Sequence, residues 1–210
     1  MSQILDYRNC PLAYKVRYVL KVEPPCPPSE AMKRGSRVHA AIANGSDLAD
    51  PGEMAMVERA RTFLKTAPPN GIFETSYEDT NNPGCLIGNL HGIPAVGIFD
   101  VHWIDPPLGV DWKTGRFKPR HTTQYEIQAY VLNELYHQTY GHRLDAMRFV
   151  FLQNGAIFDA RCLSESKSHE VVAGEIDAAI AGIAAGAFER RGGPLCPHCD
   201  WWPYCKSVVR

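Results

Sequence analysis

Three cysteines close together near the end of the sequence have a spacing that suits a metal centre. The stretch CPHCDWWPYC places Cys196, Cys199 and Cys205 at C-x2-C-x5-C spacing. Thiolates this close in sequence can converge on one metal, but a tetrahedral site needs a fourth ligand. The best remote candidate is Cys10, in YRNCPLAY near the start. A metal held by all four would join the two ends of the chain. The remaining cysteines lack ligand spacing and are interpreted as ordinary thiols: Cys26, Cys85 and Cys162.

Two acidic residues and a lysine form a second candidate constellation, in GIFD and VDWKTG. On a strand, Asp111 and Lys113 project from one face and Trp112 from the other. A hairpin turning at Ile104–Pro107 would bring Asp100 close to Asp111. Like charges facing each other destabilise a sheet and raise the pKa of one carboxylate, unless a cation lies between them. Oxygen ligands favour Mg²⁺ or Mn²⁺.

This arrangement predicts hydrolytic chemistry at a phosphate. The metal would polarise a phosphate oxygen and help to generate hydroxide from water. Lys113, about 7 Å along the strand from Asp111, could orient that water or neutralise developing charge. His39, in RGSRVHAAI, can complete a two-carboxylate site as a neutral nitrogen ligand. Taken alone, a D-x-K strand or a helical histidine is usually structural, so the prediction depends on the combination.

The net charge of −1 gives no global attraction for polyanions, so nucleic acid would be held by local patches. Two such patches lie beside the predicted chemistry, in KRGSR and in KTGRFKPRH. Gln124 and Gln128, one helical turn apart after the second patch, could bond the phosphate or the water, although surface glutamines are the default interpretation. The candidate DNA-contacting cations are Arg34, Arg37, Arg116, Lys118 and Arg120.

Composition and length are those of one globular domain with room for a small extra lobe: 210 residues, 45% hydrophobic and 21% charged. No apolar run approaches the ~20 residues of a membrane span, and residues 1–15 lack the features of a signal peptide. Seven cysteines, an odd number, argue against a complete disulfide framework. We therefore expect a cytoplasmic protein in a reducing compartment that makes no membrane contact.

The predicted elements begin with helices, through YKVRYVLKV, from Ser29 to about Ala43, and after Asp50-Pro51. Strands are predicted in IFETSYED, CLIGNL, IPAVGIFDVHWI and LGVDWK. A helix over Thr122–Thr139, a hairpin turning at Asn154-Gly155 and a helix over Ser166–Glu189 follow. This order predicts an α/β or α+β fold with a central mixed sheet flanked by helices, plus a small lobe built from both termini.

Five short motifs occur in an order that is informative: Y-x2-C-P-x2-Y from Tyr7, G-x2-V-H from Gly35, G-x2-D from Gly97, D-x-K-T-G from Asp111, and the terminal cysteines. Together they resemble the RecB-family nucleases of the PD-(D/E)xK superfamily. The resemblance is greatest to the iron–sulfur subgroup, which includes the AddB nuclease domain and the small CRISPR-associated RecB-like exonucleases. It covers most of the chain and implies the restriction-endonuclease-like core of that superfamily.

The resemblance also implies roles for the residues. His39, Asp100, Asp111 and the Trp112 carbonyl would bind the catalytic Mg²⁺ or Mn²⁺, and Lys113 would position or activate water. Cys10, Cys196, Cys199 and Cys205 would hold a structural 4Fe-4S cluster. The lobe would comprise about residues 1–25 and 190–210, and the nuclease core about residues 29–189. The implied activity is exonucleolytic hydrolysis of DNA, preferably at single-stranded ends.

Several alternatives stay open at this stage. The family's Q-L-x-x-Y helix is replaced by QYEIQAY, so either Glu126 or Gln128 fills the glutamine position, and we favour Gln128. The chain could instead be an iron–sulfur adaptor that holds DNA ends without cutting them, or the cysteines could bind zinc. Cleavage polarity is open, as is the choice among repair, phage recombination and CRISPR adaptation proteins as partners, because fold does not decide function.

Overall fold

The computed structural model describes residues 2–24, 27–74, 84–193, 196 and 199–208. The chain divides into two compact units, one formed by residues 1–28 with 173–210 and the other by residues 29–172. The unit that contains both termini thus extends further into the chain than the lobe expected from the sequence. Within the described part of the chain, no helix is long and apolar enough to cross a membrane.

Helices are present in the predicted stretches. The helices are α1 (Ser2–Asn9), α2 (Pro11–Tyr14), α3 (Glu30–Asn44), α4 (Pro51–Leu64), α5 (Thr122–Tyr140), α6 (Ser166–Ala184) and α7 (Trp202–Val208). Helix α6 ends five residues before the predicted Glu189, and α1 and α7 lie where no helix was predicted. A π-helical turn follows α2, and 3-10 turns precede α5 and α6: Lys15–Val19, Pro119–His121 and Arg161–Leu163. The predicted caps of α3 and α4 are present, because the Ser29 side chain accepts from Met32 N and Asp50 accepts from Glu53 N.

Within the described residues, seven strands form two sheets. They are β1 (Ile72–Phe73), β2 (Cys85–Leu90), β3 (Ile93–Ile98), β4 (Val101–Trp103), β5 (Leu108–Lys113), β6 (Ala146–Phe151) and β7 (Ala156–Asp159). The central sheet has the order β1-β4-β5-β6-β7, and β2 pairs with β3 in a separate hairpin. Only β5 and β6 are parallel, joined through α5, so the sheet is mixed as predicted.

The stretch IPAVGIFDVHWI, predicted as one strand, is instead two strands in different sheets. The chain leaves the β2–β3 hairpin after Ile98 and enters the central sheet at Val101. Asp100 therefore lies in a bend between two sheets, where its side chain is not fixed by a continuous ladder. Of IFETSYED, only Ile72–Phe73 is strand, and residues 75–83 lie outside the described part, as does Cys26.

One face of the central sheet packs on α3 and α4. Its buried core includes Val38 on α3, Val57 on α4, and Trp103, Val110 and Trp112 on the strands. The Trp112 side chain therefore lies in the core, as strand alternation predicted. Helix α5 is buried through its predicted inward residues, Ile127, Val131 and Leu135. The packing of α3, α4 and α5 holds β4 and β5 in place and so fixes the residues between Asp100 and Lys113.

Strand β4 also carries a fully buried histidine. His102 is 0% exposed, and its Nε2 lies 2.9 Å from the Tyr140 hydroxyl. Its Nδ1 has no hydrogen-bond partner within the described residues. Burial lowers the pKa of His102 to about 4. The imidazole is therefore neutral in the folded protein at neutral pH.

This burial predicts a specific acid sensitivity. The unfolded chain protonates His102 below about pH 6.5, whereas the fold keeps it neutral to about pH 4. Its contribution to stability is thus complete above pH 6.5 and is lost as the pH falls towards 4. At pH 5 the wild type should have lost about 2 kcal/mol that His102→Phe does not lose. Urea denaturation of both proteins at pH 7.5 and pH 5 measures the difference.

The control is His91→Asn, which replaces an exposed histidine in a left-handed turn and should keep the wild-type pH dependence. Equal acid sensitivity of the wild type and His102→Phe would contradict the prediction.

Candidate active site

Three carboxylates lie side by side in the central sheet region: Asp111 is on β5, and Glu74 and Asp100 directly flank β1 and β4. Val101 of β4 pairs with Phe73 of β1 on one side and with Val110 of β5 on the other. One position beyond these pairs are Glu74, Asp100 and Asp111, and Glu74 N donates to Asp100 O at 3.2 Å. Residues directly opposite each other on paired strands point to the same face. The register thus aligns three acidic side chains in a row, which we call the carboxylate row.

The carboxylate row is almost inaccessible to water. Glu74, Asp100 and Asp111 are 7%, 8% and 6% exposed. Burial raises the pKa of Glu74 to about 7, and the charges of Asp100 and Asp111 add to this while His39 opposes it. Burial also raises the pKa of Asp111, against the opposing charge of Lys113. Three buried acids in this register repel one another unless positive charge lies among them.

His39, from α3, lies against the middle carboxylate. Its Nδ1 is 2.9 Å from Asp100 Oδ1, and Asp100 Oδ2 accepts a 2.5 Å bond from Trp112 N. Burial disfavours the charged imidazole, but Asp100 and Asp111 outweigh it and raise the pKa of His39. The contact places the His39 ring directly beside the middle carboxylate of the row.

Lys113 lies at the other end of the row. Its Nζ is 2.6 Å from Asp111 Oδ1 and donates to Gln128 Oε1 at 3.1 Å. Gln128 Nε2 in turn donates to Asp111 Oδ2. Burial disfavours the ammonium, but Asp111 outweighs this and raises the pKa of Lys113. These contacts form a closed triangle of acid, amide and ammonium that fixes all three side chains.

The structure separates the two candidates for the glutamine position. Gln128 is buried in the site, whereas Glu126 points to the turn before α6. The Glu126 carboxylate accepts from Arg161 N at 3.1 Å and from Cys162 N at 2.9 Å, which caps the 3-10 turn. Gln124 is half-exposed. Gln128 contacts Lys113 and Asp111, and its assignment to the glutamine position stays a prediction.

Two buried carboxylate oxygens indicate whether this site suits a metal. Glu74 Oε1 and Asp111 Oδ1 have no hydrogen-bond partner within the described residues, although Asp111 Oδ1 has its ion pair with Lys113. Unpaired buried acceptors are costly, and a hard divalent cation satisfies them. Across the described ranges, no three acidic, histidine or cysteine side chains converge closely enough to hold a metal as they stand. The donor types nevertheless fit Mg²⁺ or Mn²⁺.

Glu74 is the site residue that sequence analysis missed. Its strand, IFE, was predicted, but nothing in the sequence indicated that β1 pairs with β4. The position is confined further by Gly84, where a Cβ would lie only 2.9 Å from Glu74 Cα. The segments at Asp100 and at Gly84 therefore both pass close to the Glu74 backbone. A pairing hypothesis for all three strands would have been needed to find it.

The predicted basic residues differ in their surroundings. Arg37 binds Glu53 of α4 through two contacts, Nε to Oε2 at 3.1 Å and a terminal nitrogen to Oε1 at 2.5 Å. Arg34 has its Nε buried without a partner in the part of the chain that is described. The cations of the loop after β5 are all exposed, and none has an ion pair among the described residues: Arg116, Lys118 and Arg120.

The four proposed cluster cysteines belong to the unit that contains both termini, and all are free thiols. Burial raises the pKa of the Cys199 thiol, a backbone group of Trp201 opposes this, and Cys10 and Cys196 raise it further. These three thiols are thus close enough to interact electrostatically. Cys205 N donates to Trp201 O at 2.9 Å.

Comparison with known families gives a match over most of the chain. A family model described as the PD-(D/E)XK nuclease superfamily matches residues 1–81 and 96–206. The matched ranges include the described part of β1, the D-x-K strand and α5. No curated protein matches the chain.

Because Glu126 lies away from the site and caps the 3-10 turn before α6, we predict that it contributes to the stability of the fold. Glu126→Ala leaves Arg161 N and Cys162 N unpaired, so the free energy of unfolding should fall by about 1–3 kcal/mol. Urea denaturation measures the change, and Glu170→Ala, on an exposed position of α6, serves as the control with an effect within about 0.5 kcal/mol. A Glu126→Ala protein as stable as the wild type would contradict this role.

Proposed function

Because the chain belongs to the PD-(D/E)XK nuclease superfamily, we propose that it is a metal-dependent deoxyribonuclease acting as an exonuclease on single-stranded DNA ends. The observation that carries the proposal is the buried carboxylate row with Lys113 and Gln128 beside it. A structural role gives no reason to bury three like charges in register. A site that binds cations and phosphate does give one.

The residues proposed to hold Mg²⁺ or Mn²⁺ are His39, Asp100, Asp111 and the Trp112 carbonyl, to which we add Glu74. When bound, such an ion polarises a phosphate oxygen and offsets negative charge in the transition state. The buried Glu74 Oε1, which has no hydrogen-bond partner within the described residues, supports this assignment. His39 Nδ1 and Asp100 Oδ1, two of the proposed ligand atoms, lie 2.9 Å apart.

Lys113 is proposed to act as a fixed positive charge. Burial lowers the pKa of Lys113, but Asp111 outweighs this and raises it. The contacts with Asp111 and Gln128 immobilise the ammonium. An ammonium can donate hydrogen bonds to a phosphate oxygen or to the attacking water, but it cannot accept a proton. Gln128 positions Lys113 through its amide oxygen and Asp111 through its amide nitrogen.

The exposed loop cations support DNA as the substrate. Arg116, Lys118 and Arg120 follow Lys113 directly in sequence and are exposed. In a chain of net charge −1, a local patch beside the acids is what would attract a phosphate backbone. The proposed partners in repair, recombination or CRISPR adaptation rest on the family resemblance alone.

The activity is tested with end-labelled linear and circular single-stranded DNA in Mg²⁺ or Mn²⁺, under anaerobic handling. Linear DNA should be degraded from one end and circular DNA should persist. Lys113→Ala should lower the rate by about 100-fold or more, because the fixed charge near the phosphate is lost. Absence of hydrolysis of either substrate, or full activity of Lys113→Ala, would overturn the proposal.

Glu74→Gln provides a test with opposite effects on stability and on metal binding. The pKa of Glu74, raised to about 7, means that its ionised form destabilises the metal-free fold above pH 4.5, increasingly so as the pH rises. The variant should therefore be more stable than the wild type without metal, by up to about 3 kcal/mol at pH 8. It should also bind Mn²⁺ about tenfold more weakly or worse, because a ligand charge is lost.

Calorimetric titration with Mn²⁺ and denaturation in a chelator measure the two effects. Glu170→Gln, at an exposed position, is the matched control and should change neither. Unaltered Mn²⁺ affinity in Glu74→Gln would remove Glu74 from the proposed metal site.

The 4Fe-4S cluster is also a proposal, supported by the cysteine spacing and by the interaction of Cys199 with Cys10 and Cys196. Anaerobically purified protein should be brown and contain iron and sulfide. Cys199→Ser should lose both, whereas Cys85→Ser, outside the cluster spacing, should retain them. Colourless wild-type protein with stoichiometric zinc would show instead that the thiols bind zinc.

A further inference from the structure

Five aromatic rings form a continuous group beside the carboxylate row, which we call the aromatic layer. It comprises Phe117 of the basic loop, Tyr125 of α5, Phe149 and Phe151 of β6, and Phe158 of β7. Neighbouring ring centroids are 5.0 to 6.1 Å apart. Such distances are typical of attractive ring packing.

The aromatic layer reaches the proposed catalytic lysine. Lys113 Nζ lies 5.8 Å from the Tyr125 centroid and 5.4 Å from the Phe149 centroid. Tyr125 contacts Phe158, and Phe158 contacts Phe117. The rings therefore connect the acidic site with the loop that carries the exposed cations.

The rings of the layer are buried to different extents. Phe149 and Phe151 are 0% and 1% exposed, as expected for core residues. Phe117, Tyr125 and Phe158 are half-buried. The Phe117 ring lies nearly parallel to Phe158, with 5.8 Å between centroids and 20° between planes. Phe117 thus keeps accessible surface while its orientation is fixed by packing.

The sequence neighbours of Phe117 are cations. Arg116 and Lys118 flank it directly, and both are exposed. Backbone phosphates and bases alternate along a nucleic acid strand, so a fixed ring between two cations matches that alternation. A ring held by packing also loses little side-chain entropy when a base stacks on it.

We propose that Phe117, supported by Phe158, is a base-stacking subsite for the DNA strand whose phosphate reaches the carboxylate row. The inference rests on the proposed function, since it specifies how that substrate is held. Stacking on an aromatic side chain tolerates any base, so the subsite adds affinity without sequence preference. Bases in a duplex are already stacked on each other, and the subsite therefore favours single strands.

The test is a binding comparison between protein variants and abasic oligonucleotides. All proteins carry Lys113→Ala and are measured with Ca²⁺, so that binding is separated from cleavage. Single-stranded oligonucleotides carry one abasic position, moved stepwise from the bound end. Each is titrated against Phe117 and Phe117→Ala proteins by fluorescence anisotropy.

With Phe117 present, one abasic position should weaken binding by about fivefold to one-hundredfold, the range measured for a stacked base. In Phe117→Ala the intact strand should bind more weakly by a similar factor, and the abasic strand should bind no worse than the intact one. Phe117→Tyr should restore sensitivity to that position. A residue that merely anchors the loop would weaken every strand alike and leave the abasic sensitivity unchanged.

Ile157→Ala is the matched control, because it truncates an exposed apolar side chain on the same strand as Phe158. It should leave both the affinity and the abasic sensitivity unchanged. Abasic sensitivity that persists in Phe117→Ala would overturn the subsite even if the enzyme degrades DNA. Sensitivity that depends on Phe117 would support the subsite even if the wild type hydrolyses nothing, so the two proposals fail separately.

Discussion

Electrostatic repulsion within a buried row of three carboxylates is the constraint on which the rest of the site depends. Asp111 lies on β5, and Glu74 and Asp100 directly flank β1 and β4, one register position beyond the last shared pairs. Burial removes the solvent screening that would make such a row tolerable at a surface. The fold therefore has to supply positive charge or hydrogen-bond donors at every point of the row, and the surrounding residues are explained by that need.

The surroundings meet this need unequally along the row. Asp100 is satisfied by His39 and by Trp112 N, and Asp111 is held by Lys113 and Gln128. Glu74 is the exception, since Glu74 Oε1 has no partner within the described residues. The strain is thus concentrated at the end of the row farthest from Lys113. A cation bound there would relieve repulsion that the protein alone leaves in place.

The rest of unit 29–172 separates rigid support from accessible surface. Behind the row, Trp112 and Trp103 pack into the core with α3 and α4, which fixes the strand edges. Beside it, the aromatic layer passes from the buried Phe149 to the half-buried Phe117 in the basic loop. A rigid acidic centre next to an accessible ring and exposed cations is an arrangement suited to a charged, flexible polymer.

The sequence by itself determined the helix caps, the mixed sheet, the buried face of α5 and the closeness of Asp100, Asp111 and Lys113, because these depend on local periodicity and on one short hairpin. Only the tertiary structure decided which third strand joins them. The pairing of β1 with β4 brings together residues far apart in sequence, and it alone places Glu74 in the row. The tertiary structure also divides IPAVGIFDVHWI between two sheets. It turns Glu126 away from the site, because the direction of a side chain on a buried helix depends on what packs around it.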